Sequence, residues 1–284
     1  MKPFSKIATR VLAAGAAAFL AATLASGVAY AQPSETIQAA RKAVTDGVSG
    51  IKEPEAPLSA AEHVTRTRTL IATIITLTGT ETDEMVEKLA ALPLDEGTDA
   101  PLIVLREQFT APLIAARGYL DALAVVVKDT DTLEGLQAIA GGLKGWREGH
   151  GERVRQAADL IVTVQNRTAI ETARSRVIRV TTELQRSKFK PRAAQWQPLL
   201  SQAKAQLRKA TALAETAQVR LLEYLPPPLP ANSVDPVPAA ASEKAAAPED
   251  VVLAQPGIQD LAQESVTHIR ETYKLLIEAI KKTY

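Results

Sequence analysis

The chain has 284 residues and a formal net charge of +1, with 33 Lys and Arg against 32 Asp and Glu. A balance this close offers a phosphate backbone little to hold, so no nucleic-acid partner is expected. No cysteine occurs, which excludes disulfides, thiolate metal sites, a Cys nucleophile and a lipidated Cys.

The first 31 residues read as an export signal. Lys2, Lys6 and Arg10 make a positive n-region, residues 11–24 an apolar h-region, and Ala29-Tyr30-Ala31 an A-x-A cleavage site. As a helix the apolar stretch would span ~21 Å, short of the ~30 Å bilayer core. Arg10 has no twin arginine beside it, which favours the general secretory route. Cleavage after Ala31 therefore predicts a periplasmic or secreted chain. No later apolar run approaches the length of a membrane span, with residues 70–77 and 122–127 the longest candidates, so no further span is expected.

Aromatic residues are only 4% of the chain. An Ala- and Leu-rich core with few rings suits packed helices better than sheets. Residues 32–58 form an amphipathic segment that fades into Gly47, Gly50, Pro54 and Pro57. Ser59 and Glu62 make a capping box, and Val64, Ile71, Ile74, Ile75, Met85, Leu89 and Leu92 keep helical spacing after it. Gly79 weakens that stripe, so a break near Gly79-Thr80 is one reading. A third element over 102–128 places Leu102, Leu105, Phe109, Leu113, Leu120 and Leu123 on one face, with a kink expected at Pro112.

Leu133, Leu136, Ile139, Leu143 and Trp146 open a fourth element that is expected to end at Gly149-His150-Gly151. A fifth follows over 152–186, and a sixth carries Leu200, Ala203, Leu207, Ala210, Ala217 and Leu221. Short connections between long helices favour antiparallel neighbours, so residues 59–225 read as an elongated all-α bundle of five to six long helices. Residues 226–256 hold eight of the seventeen prolines and read as a disordered Pro/Ala-rich linker. Residues 257–284 then form an amphipathic C-terminal helix, with Val266, Ile269, Tyr273, Leu276 and Ile280 on its apolar face.

Sequence motifs argue against familiar chemistries. No G-x-S-x-G elbow, phosphate-binding loop or H-E-x-x-H pair occurs. The residues three before His63, His150 and His268 are Ala60, Arg147 and Ser265, so the Glu-x-x-His pairs of di-iron bundles are missing. No cofactor and no catalytic residue is nominated. Gly141-x-x-x-Gly145-x-x-x-Gly149 reads as a tight helix crossing or a frayed helix end, with a ligand pocket at Trp146 and His150 as a third reading. Asn166-Arg-Thr168 matches a glycosylation acceptor by a common triplet.

Charge is unevenly spread beneath the neutral total. Residues 81–99 hold seven acids and one Lys, whereas residues 174–192 hold seven bases and Glu183. The basic run ends in a loop of Arg186, Lys188, Phe189, Lys190 and Arg192, which could meet anionic lipid head groups, envelope polymer or an acidic protein face; the alternative is that the acidic and basic segments pair within the bundle. The expectation is a periplasmic or secreted helical interaction or structural protein without catalytic chemistry. It would bind a protein or cell-envelope partner through helix faces, and the C-terminal helix either docks back on the bundle or serves as a tethered binding element. The rival readings are a membrane-surface protein of anionic-lipid or pore-forming type and a small-molecule- or metal-binding bundle.

Overall fold

The computed structural model describes residues 35–52, 59–225 and 257–282. The expected export signal over residues 1–31 and the expected linker over 226–256 lie outside them. The described residues form six α-helices with no strand among them. In chain order these are α1 (Glu35–Lys52), α2 (Ala60–Ala90), α3 (Ala100–Asp129), α4 (Leu133–Leu184), α5 (Ala193–Leu222) and α6 (Ile258–Lys281). A 3-10 turn, Ser187–Arg192, joins α4 to α5.

Local chemistry starts the helices where the sequence places them. The Ser59 hydroxyl accepts the Glu62 N–H at 3.3 Å while the Glu62 carboxylate accepts the Ser59 N–H at 2.8 Å, closing the capping box of α2. Thr132 caps α4 by accepting the Gly135 N–H at 3.2 Å. Gly135 is required there, since a Cβ would lie 2.8 Å from Thr130 Cγ2.

The 52 residues of α4 make the axis of the molecule, about 78 Å long at the helical rise. Its N-terminal half packs with an α2–α3 hairpin and its C-terminal half with an α5–α6 hairpin. Both hairpins are antiparallel. Arg68 near the start of α2 donates to the Thr130 carbonyl beyond the end of α3 at 2.8 Å, while Leu89 and Leu102 share a core at the opposite ends. In the second hairpin Ser265 donates to the Ala210 carbonyl at 3.0 Å, and Thr272, further along α6, meets the Ala203 carbonyl. Side-chain hydroxyls reach those carbonyls because Ala203, Ala210 and Ala217, seven apart, let α6 come close to α5. The helix α1 runs beside α2, with Arg41 on Glu81 at 2.8 Å and Gly47 against Leu70.

Three apolar clusters follow one another along α4. Ile71, Ile75, Leu120, Val127, Leu136 and Leu143 fill the first. The central one joins α2–α3 to α5–α6 through Leu105, Phe109, Leu160, Ile161, Leu221 and Leu261. Val177, Leu184, Trp196, Leu200, Tyr273 and Leu276 belong to the last. The molecule is thus two three-helix bundles that share α4.

Two expected breaks do not occur. The anticipated fourth and fifth elements are one helix, which runs straight through Gly149-His150-Gly151. Leu136, Leu143, His150, Ala157 and Val164 are seven apart and all buried, so the core-facing phase never slips. Continuous burial outweighs the ~1 kcal/mol that each interior glycine costs relative to Ala. Likewise α2 continues through Gly79, whose bare Cα receives the Arg117 guanidinium; a Cβ would sit 3.2 Å from its Nη1. The helix α3 also runs on through Pro112.

Candidate functional site

Of the two alternatives for the C-terminal helix, its burial matches docking on the bundle. Ile269, Tyr273 and Leu276 lie in the core of the second bundle, and Val266 and Ile280 are half-buried at its edge. Ser265 and Thr272 fix the register on α5, and His268 Nδ1 lies 2.7 Å from Gln206 Oε1. The helix therefore packs within its own chain and does not present this face to a partner.

The basic loop is the 3-10 turn. Arg186 pairs with Glu183 at 3.0 Å, and Arg192 closes the turn as an exposed side chain. Phe189 is half-buried, and its carbonyl accepts the Trp196 indole N–H at 3.4 Å. It is not a projecting aromatic tip. The side chains of Lys188 and Lys190 lie outside the described residues.

The glycine stripe resolves differently from both of its readings. At Gly141, Gly145 and Gly149 nothing lies within 4 Å of the place a Cβ would occupy, so no helix crosses there, and the helix does not fray. Asn166 of the glycosylation triplet is only 4% exposed and faces Ser265.

Trp146 and His150 do come together, with His150 buried and Trp146 half-buried. His150 stacks on Trp146 with centroids 4.6 Å apart, and Trp146 meets Tyr119 at 5.0 Å. His150 Nε2 lies 3.0 Å from Thr82 Oγ1. Thr82 has one hydroxyl proton and gives it to the Thr78 carbonyl at 2.7 Å. Its oxygen must then accept from His150, which puts the imidazole proton on Nε2 and leaves Nδ1 as a bare lone pair. That Nδ1 is buried without a hydrogen-bond partner. Burial, followed by the charges of Arg153 and Arg147, holds the His150 pKa below its ordinary value, against a smaller upward pull from Glu81. Among the described residues no three His, Asp or Glu gather as a metal-binding group.

A second polar cluster sits where the bundles meet. Asp159, 1% exposed, accepts from the Tyr224 hydroxyl at 3.0 Å and from Gln259 Nε2 at 3.1 Å, with Arg155 at 3.8 Å. Burial pushes its pKa up, while those hydrogen bonds pull the other way. One buried carboxylate thus joins Tyr224, just after α5, to Gln259 in the first turn of α6. Close by, Arg167 grips both oxygens of Asp99, at 2.7 Å on Oδ2, and holds that carboxyl below its ordinary pKa. These groups are spent on holding helices together.

What remains unspent is surface. The helix α3 buries Leu105, Phe109, Leu113 and Leu120 on one face and is largely apolar on the opposite face as well. Ile114, Val125 and Val126 are 57%, 60% and 51% exposed, with Tyr119 and the small Ala111, Ala115, Gly118 and Ala122 among them. It is the one described helix long and apolar enough to cross a membrane, although Arg117 sits at its middle in ion pairs with Asp83 and Asp121. The sequence signal was available: residues 109–127 carry only Arg117 and Asp121 as charges. Two grooves flank α4. One of about 400 Å³ is lined by Ile71, Ile74, Ala140, Leu143, Lys144 and Arg147, and one of about 310 Å³ lies between α4 and α5. Compared with known proteins, the chain matches no family model, no curated protein and no solved structure.

Proposed function

We propose that this chain acts outside the cytoplasm as a non-catalytic helical interaction protein, on which a protein partner docks against the outward face of α3. One observation carries the reading. A helix already packed on one side exposes a second apolar face, with Ile114, Val125 and Val126 more than half exposed. The charges beside them, Arg117 and Asp121, already pair with each other. Alanine and glycine at 111, 115, 118 and 122 let a partner helix approach the backbone closely, as helix-to-helix docking requires. A transmembrane role for α3 fits less well, because it would carry Arg117 and its carboxylate partners into hydrocarbon. The export-signal pattern at the N-terminus supports a place outside the cytoplasm.

The test is cross-linking in the native envelope with wild type and an Ile114→Glu/Val125→Glu variant. Both positions are exposed, so the fold is retained. Each lost apolar contact is worth ~1.5–3 kcal/mol when fully buried, so the variant should lose its partner by at least about 10-fold. Equal recovery of the same partner by both chains would reject the α3 face.

A further inference from the structure

We propose that the groove between α4 and α5 docks the chain on the surface of an anionic lipid bilayer. This site is separate from the α3 face and stands on different residues in the other bundle. Its floor is Val177 and Leu207, both buried, with half-buried Thr211 beside them. Arg174 from α4 and Lys204 and Arg208 from α5 surround it, all exposed. None of these three cations has a carboxylate within 4 Å among the described residues, and no acidic side chain lines the groove.

That pattern has a physical cost and a physical use. Three like charges around one groove repel one another, and no side chain lining the groove offsets them. The arrangement is relieved by an external anion. Ile178 narrows the choice of anion. It lines the same groove and is 61% exposed, so an aliphatic side chain stands among the cations. Basic groups beside an exposed aliphatic residue match the boundary between phosphate head groups and acyl chains, where charge attraction and apolar burial act together. An acidic polypeptide would use the cations and leave Ile178 in water.

The test uses the exported full chain, recovered from its host's envelope, in co-sedimentation with phosphatidylcholine vesicles with and without phosphatidylglycerol. The groove variants carry the same N-terminal segment as wild type, so any contribution of that segment, including Lys2, Lys6 and Arg10, is common to all. Wild type should sediment with the anionic vesicles at low salt, be released at high salt, and leave pure phosphatidylcholine alone. Arg174→Gln/Lys204→Gln/Arg208→Gln should lower the partition coefficient by roughly 100-fold, since each cation near such a surface contributes ~1 kcal/mol. Ile178→Ser should lower it by about 5-fold with the salt dependence unchanged. Because all four side chains are exposed, unchanged helical circular dichroism separates lost binding from lost fold. No binding by wild type to anionic vesicles, equal binding by the triple variant, or binding to soluble polyglutamate in place of vesicles would each overturn the proposal.

Discussion

His150 occupies a core position where every neighbour seven residues away is apolar, and its bare Nδ1 makes it a source of acid sensitivity. The folded chain resists its protonation, because burial, then Arg153 and Arg147, lower its pKa below 6.5. The unfolded chain takes up the proton normally. The sign follows: stability is full above pH 6.5 and is lost as pH falls from there toward the lower folded-state value. Asp159 works in the opposite direction, since its pKa is raised by burial and the folded chain takes up that proton more readily. The difference between wild type and His150→Phe therefore isolates the histidine. Urea midpoints measured above and below pH 6.5 should fall on acidification for wild type and fall less for the variant; parallel falls would mean His150 is not the sensor. Gly145 allows a second check at this scale. Its Cβ position is empty within 4 Å and the residue is helical, so Gly145→Ala should raise stability by about 0.5–1 kcal/mol in denaturant titration. A loss would place an unseen neighbour against that face.

At the scale of elements, α6 is part of the second core, and removing it tests that directly. It buries Ile258, Leu261, Ile269, Tyr273, Leu275 and Leu276, each worth ~1.5–3 kcal/mol, a sum on the order of the whole stability of a domain. Truncation before residue 257 should therefore lose helical circular dichroism well beyond the 24 residues of α6, as α5 and the end of α4 unravel. Loss of only that share would make α6 an appendage. The amphipathic period of α6 was legible in its own sequence, with Val266, Ile269, Tyr273, Leu276 and Ile280 at steps of three and four. That the face docks in cis was not, because the deciding feature is the alanine series of α5, far away in the chain. The same limit applies elsewhere. Helix existence followed from period, yet the Gly149-His150-Gly151 boundary failed because a histidine filled a core position whose burial depends on α2. Arg174 was visible as one of a basic run, but Lys204 and Arg208 join it only once α4 and α5 cross.

For the whole molecule, the consequential feature is that one unbroken helix belongs to both bundles. The helix α3, which bears the outward face, packs through Leu120 and Val127 near the first quarter of α4, and the basic groove lies near residues 174–178, about thirty residues further on. At the helical rise this holds the two proposed contacts ~45 Å apart. Such a spacing is useful only if α4 does not bend between them, and the central cluster packs both bundles against its middle. Leu160 and Ile161 of α4 pack there with Leu105 and Phe109 of the first bundle and with Leu221 and Leu261 of the second. Asp99–Arg167 ties α3 to α4, and Asp159–Tyr224 and Asp159–Gln259 tie α5 and α6 to α4 at the same level. Unfolding one bundle would strip this shared core from the other, so the molecule should unfold in a single transition. Leu160→Ala removes a fully buried side chain from that core and should cost about 2–5 kcal/mol. The informative readout is the shape of the curve. If the centre couples the bundles, the variant's transition shifts as one step or splits into two as coupling weakens. Wild type that already melts in two steps would show that α4 carries two independent bundles, and the fixed separation between the surfaces would then have no structural basis.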